Sequence, residues 1–360
     1  MLALRLVRGT HPVVQLRRLA VATAAAGVGF LLLCALGYAV GHPGSPTAVL
    51  RLLWCVLPLA ATVQFAVAVA RTDPSTRPRP GLSAIGLGPA RLTAIAATST
   101  AVSCTLGSAV ALLFYLHLRG DLTGLSFDGA AAELLAADQP VPLAAALTLL
   151  AVVPVTASAA AALALRPRSK PAPSETSPAS GLPWGIALLA VGLAVETYAA
   201  RGDGGGVLTG WILTAVGLAM MGPGLTYGCG RLLQTARPGA VRLLAGRVLM
   251  NDSRRIGRPL GVVCAVGSGA IAGYVLHGGA VDALAWLGVA LVAGCTTATL
   301  LTAALESRQT RAHTTEALRR LGAPPTVLRT TALLRAAVLI ALFLPLTWAV
   351  GALAAVPLRG

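Results

Sequence analysis

Lysine is all but missing from this chain: Lys170 stands alone among 28 basic residues. Acids are scarce too, 12 against those 28 bases, which leaves a net charge of +16 with only 11% of residues charged. A soluble domain of 360 residues needs far more charge to cover its surface, so an ordinary soluble globular fold is excluded. The strong basic balance does not point to nucleic acid. Aromatics make up 4% of the chain, and the arginines sit in short segments beside apolar runs rather than in a groove interleaved with stacking rings. The scarcity of lysine beside abundant alanine, glycine and arginine is the composition expected from the coding bias of a high-GC bacterial genome.

Catalytic signatures are also missing. A P-loop needs Gly-Lys-Ser/Thr so that the lysine reaches the phosphates, whereas Lys170 follows Ser169 and precedes Pro171. No G-x-S-x-G occurs. The five histidines (His11, His42, His117, His277 and His313) show no H-E-x-x-H or paired-ligand spacing. The six cysteines form no C-x-x-C, and five lie in apolar runs, where they read as small packing residues. Gly204–Gly206 reads as a loop. The expectation is a chain with no metal, no cofactor and no enzymatic activity of its own.

Long apolar runs are what the chain does have. It is 56% hydrophobic, with a mean hydropathy of +0.78. Runs of about 18 or more apolar residues span membranes, and in lipid they must be helical because each backbone polar group needs an internal partner. The fold expected is all-α and polytopic, with nine spans at 19–40, 52–70, 92–116, 141–165, 183–200, 206–227, 259–276, 283–305 and 336–356. The first follows basic residues as a signal peptide would, but it is too long for a cleaved apolar region and reads as a retained span.

Basic residues set the orientation. With the N-terminus in the cytoplasm, 24 of the 28 fall in inside segments, leaving Arg51, Arg119, Arg201 and Arg359 outside. Asp121, Asp128, Glu133, Asp138, Asp203 and Asp282 lean the other way. The C-terminus is then expected outside, and the expected location is the bacterial plasma membrane. Residues 166–180 are rich in proline and serine and read as a flexible linker. Residues 239–251 put Val241, Leu244, Ala245, Val248 and Leu249 near one face, as expected of an amphipathic helix lying along the cytoplasmic interface before span seven.

The chain carries a duplication. GLSAIGLGPARL at 81–92 and ALRRLGAPPTVL at 317–328 align without gaps, pairing Leu82 with Leu318, Ile85 with Leu321, Gly86 with Gly322, Pro89 with Pro325 and Leu92 with Leu328. The offset is 236 residues throughout, and the same shift carries spans one, two and three onto seven, eight and nine. Two repeats of parallel orientation follow, because both loops are cytoplasmic. Span four finds no counterpart before the chain ends. The organisation expected is a first repeat at 1–166, a linker with spans five and six at 167–237, and an incomplete second repeat at 238–360.

In the second loop Glu316 opens a short helical pattern, Gly322 caps it, and Pro324 and Pro325 block its continuation. Leu318 and Leu321 share one face, flanked by Arg319 and Arg320. Such a helix suits either docking into a partner's groove or resting on lipid. The stretch EALRRLGA at 316–323, placed after span eight and before an apolar final span, resembles the cytoplasmic signature of the FtsX-like (MacB-type) ABC transporter permease family. NDSRRIGRP at 251–259 is also similar to the segment that precedes the membrane core in members of that family. The resemblance is best over about 240–350. It implies a permease subunit coupled to a separate, dimeric ATP-binding-cassette ATPase. Glu316, Leu318, Arg319, Arg320, Leu321 and Gly322 would form one coupling helix, and Leu82, Ile85 and Gly86 would belong to a degenerate first one. The chain departs from the family in lacking a large extracellular domain and the last helix of the second core.

One acid, Glu196 in AVETYAA, lies inside a span. An intramembrane carboxylate is a functional candidate, for instance as a proton site. Its place about one turn from the outer end of span five, next but one to Tyr198, favours instead a side chain that reaches the interface. Beside the permease stand two other expectations: an ion- or proton-coupled secondary transporter, which would need Glu196, and a membrane scaffold that transports nothing.

Overall fold

A computed structural model describes residues 12–73, 89–121, 142–166, 181–199, 201, 206–235, 239–276, 283–310, 316, 320, 322 and 324–356. Among these there are ten long helices and no strand. We label them α1 Pro12–Gly41, α2 Pro46–Trp54, α3 Val56–Thr72, α4 Pro89–Arg119, α5 Leu143–Leu165, α6 Leu182–Ala199, α7 Val207–Thr235, α8 Ala240–Leu276, α9 Ala283–Thr310 and α10 Pro325–Ala355. With α2 and α3 counted as one crossing, nine segments among the described residues are long and apolar enough to cross a membrane, as the apolar runs predict. The chain is an all-α, multi-pass membrane protein.

The surface agrees with lipid as the solvent. On α4 the exposed residues include Leu106, Val110, Leu113 and Phe114, and on α10 Leu333, Ile340, Leu344 and Trp348. Apolar side chains turned outward along whole helices are rare on soluble monomers. Many hydroxyls within the spans bond to their own helix, as Thr100 does to the Ala96 carbonyl (2.9 Å) and Thr226 to that of Gly222 (2.8 Å).

Two spans differ in form from the sequence expectation. The second breaks at Cys55 into α2 and α3. Pro58 lacks the N–H that would bond the Trp54 carbonyl, which is where one helix stops and the next begins. The seventh is longer than expected. Residues 239–251 do not form a separate interfacial helix: α8 runs unbroken for 37 residues, with Pro259 inside it. Its buried positions Ala245, Leu249, Asp252, Ser253 and Ile256 recur at helical spacing, and this face packs along α7. Glycines make that contact close. A Cβ at Gly257 would lie 2.6 Å from the Pro223 Cα, and one at Gly230 would lie 2.7 Å from the Gly246 carbonyl oxygen. The face read as lipid-directed is therefore covered by protein.

The contacts divide the chain into two compact units, one of residues 1–169 with 283–295, the other of residues 170–282 with 296–360. In the first, α1 packs along α4 and α4 along α5. Leu33, Cys34, Ala111, Tyr115, Ala146 and Leu150 form its core, with Phe30 set edge-on to Tyr115 at 6.3 Å. The N-terminal half of α9 joins this unit, where Leu291 packs over Gly27 and Thr62 meets the Cys295 sulfur at 3.6 Å. In the second unit α6 packs on α7, α7 on α8, and α8 on α10. Ala272, Ala354 and Ala355 pack there against Leu193, Trp211 and Val275.

The 236-residue offset also relates the helix ends. α4 and α10 are both 31 residues long, and both their first and last residues lie 236 positions apart. Segment 46–72 shifted by the same offset overlies α9, and α1 shifted so ends within one residue of the end of α8. The equivalent pairs also pack alike, α1 along α4 and α8 along α10.

Candidate functional site

The loops flagged by sequence lie mostly beyond what the structure describes. Leu82, Ile85 and Gly86 of the first, and Leu318, Arg319 and Leu321 of the second, are outside the described residues. Glu316, Arg320 and Gly322 are within them. Glu316 and Arg320 form an ion pair one helical turn apart, with Arg320 Nε 3.5 Å from Glu316 Oε1. Both side chains are well exposed, so the pair adds little to stability. Gly322 has φ +87°, the left-handed conformation that ends helices and that residues with a Cβ adopt at a cost. Pro324 then supplies the extended N-cap of α10, and Pro325 fills its first helical position, where a missing N–H loses nothing.

The start of the first loop is tied down by a pair that sequence did not single out. Arg18 Nη2 donates to Asp73 Oδ2 at 2.7 Å, and Arg17 Nη1 donates to Thr72 Oγ1 at 3.2 Å. These residues join the beginning of α1 to the end of α3 across 55 positions of chain, too far for a local motif to betray them. At the repeat-equivalent positions stand Arg254 and Gln309, so the acid is not duplicated.

Glu196 is placed differently from the expectation. It does not reach a surface: it is 1% exposed, while Tyr198, two residues on, is 83% exposed. Thr214 Oγ1 of α7 donates to Glu196 Oε1 at 3.1 Å. The other carboxylate oxygen, Oε2, is buried with no hydrogen-bond partner. Glycine makes room for the side chain. A Cβ at Gly210 would lie 2.6 Å from the Glu196 Cγ and 2.8 Å from its backbone nitrogen, and a Cβ at Gly192 would lie 2.6 Å from the Thr214 nitrogen. Gly185 and Gly192 on α6 face Gly217 and Gly210 on α7, each pair seven residues apart, so the two backbones approach closely along one stripe.

A small cleft adjoins Glu196, lined also by Trp211, Thr214, Ser268, Gly269 and Ala354. Ser268 donates its hydroxyl to the Ala265 carbonyl at 3.0 Å, leaving its oxygen lone pairs free to accept. Every lining group belongs to the second unit.

The chain matches no known protein family, no characterised protein and no solved structure. Function must be argued from its own residues. Among the described residues no group of three or more histidine, cysteine or acidic side chains comes together as a metal site would require. The six cysteines are all buried, and none is in a disulfide.

Proposed function

We propose that this multi-pass membrane protein is the permease subunit of an ABC-type transport complex in a bacterial plasma membrane. Short cytoplasmic helices in its two equivalent loops couple it to a separate ATP-binding-cassette ATPase. The observation that carries this is the duplication. Two helices of equal length, α4 and α10, begin at prolines 236 positions apart, each directly after an L-x-x-[IL]-G loop. Two equivalent loops on one side of the membrane fit a partner that is itself two-fold, as a dimeric ATPase is. The Glu316–Arg320 pair and the left-handed Gly322 fit a short, capped helix there. An apolar pair, Leu318 and Leu321, flanked by arginines is a helix-in-groove anchor. No P-loop lysine is present, so ATP hydrolysis belongs to the partner.

Tagged full-length chain, purified from its native membrane, tests this. ATP hydrolysis is expected to co-purify. Leu318→Glu with Leu321→Glu, or Leu82→Glu with Ile85→Glu, should lower the co-purifying activity at least about tenfold while the chain still inserts. Undiminished activity in both loop variants, or no ATPase with the parent chain, contradicts the proposal.

A further inference from the structure

We propose that the cleft beside Glu196 binds one exchangeable monovalent cation, a proton or Na+. The site is built from four helices of one unit: Glu196 from α6, Thr214 and Trp211 from α7, Ser268 from α8 and Ala354 from α10. It does not rest on the permease assignment and stands or falls whether or not an ATPase associates.

Three observations converge on a small cation. The first is an orphaned oxygen. Glu196 Oε1 is satisfied by the Thr214 hydroxyl, but Oε2 is buried without a donor. A bare carboxylate in such surroundings is strongly disfavoured unless a charge or a proton completes it. The second is the company it keeps. None of the other residues lining the cleft is charged or titratable, and Tyr198, the nearest titratable neighbour on α6, turns outward. Among the described residues that line the cleft, none supplies a counter-ion. The third is size and donor type. The cleft admits a water-sized group, which excludes organic cations. Carboxylate and hydroxyl oxygens are the ligands a hard monovalent ion prefers over nitrogen or sulfur.

The location permits exchange. Glu196 lies in the last turn of α6, Trp211 close to the start of α7 and Ala354 at the end of α10. The cleft is thus about one helical turn from the helix ends, and a cation can enter from that side without crossing the bilayer. The close approach of Gly192 and Gly210 fixes the carboxyl against α7, so the site is held by backbone packing rather than by a flexible side chain.

The test is carbodiimide labelling of the purified full-length protein in liposomes of neutral lipid, followed by intact mass and peptide mapping. An apolar carbodiimide adds to a protonated carboxyl: the carboxyl oxygen bonds to the reagent's central carbon and the proton passes to its nitrogen. One addition is expected at Glu196, and none there in Glu196→Gln. If the cation is a proton, raising the pH by about three units slows labelling at least about tenfold, with Na+ and choline equivalent. If it is Na+, labelling at fixed pH slows in Na+ relative to choline at equal ionic strength. Thr214→Val, which keeps the carboxyl and the helix, should shift the midpoint of whichever dependence is found by at least about threefold. Labelling at Glu196 indifferent to both pH and Na+ overturns the proposal. So does no labelling of a protein that runs as a single monodisperse species, or an unshifted midpoint in Thr214→Val.

Discussion

At the scale of single residues, what this chain omits is as decisive as what it carries. Gly210 leaves space that the Glu196 side chain and backbone occupy. Alanine there would bring a Cβ within 2.8 Å of backbone atoms on α6, which cannot rotate away. Gly210→Ala should therefore destabilise the protein by about 1–3 kcal/mol, the usual cost of overpacking a tight contact. Gly228, on the same helix, has nothing within 4 Å of an added Cβ. Gly228→Ala should stabilise by up to about 1 kcal/mol through helix propensity alone. Thermal unfolding of the detergent-solubilised variants reads both, and shifts of the same sign would contradict the packing described. The presence of an acid in span five was legible in the sequence, but its direction was read the wrong way. Residues two apart on a helix point to nearly opposite sides, so the proximity of Tyr198 was evidence that Glu196 faces inward. Gly185, Gly192 and Glu196 recur at intervals of seven and four, which is one face, and that spacing was the available signal.

Helix existence was read correctly from apolar runs, whereas helix continuity was not. Hydropathy falls off across NDSRRIG at 251–257, and a span bounded by hydropathy stops there, yet nothing in that stretch breaks a helix. The neighbouring α7, which runs on to Thr235, supplies the apolar partner that the bilayer no longer does. The opposite occurs in span two, where hydropathy stays high but Pro58 breaks the hydrogen-bond ladder. Continuity of α8 has a direct physical measure. Leu243 and Arg258 are exposed and fifteen residues apart, so spin labels there should be separated by about 22 Å with a narrow distribution. A broad distribution, or a markedly shorter distance, would restore a bent interfacial helix.

For the whole molecule, the 236-residue offset was legible because it is a matter of register. Leucine, glycine and proline recur at one offset, and α4 and α10 begin and end at that same offset. The pairing of α1 with α4 and of α8 with α10 matches that offset. The division into two units does not, because α9 is split between them and α6 and α7 join the second through glycine stripes that no hydropathy profile registers. The Arg18–Asp73 pair escaped for a related reason, as it links helix ends distant in sequence. The functional account depends on both loops facing the same side, where one two-fold partner can meet them. The native cysteines are buried and offer little background to a polar thiol reagent. Cysteines introduced at Leu82 and Leu318, each in the otherwise unaltered chain, can therefore be titrated with a membrane-impermeant maleimide in right-side-out and inverted vesicles. Both positions are expected to react only in inverted vesicles. Reaction of either one from the right-side-out face would contradict the parallel duplication and the coupling role built upon it.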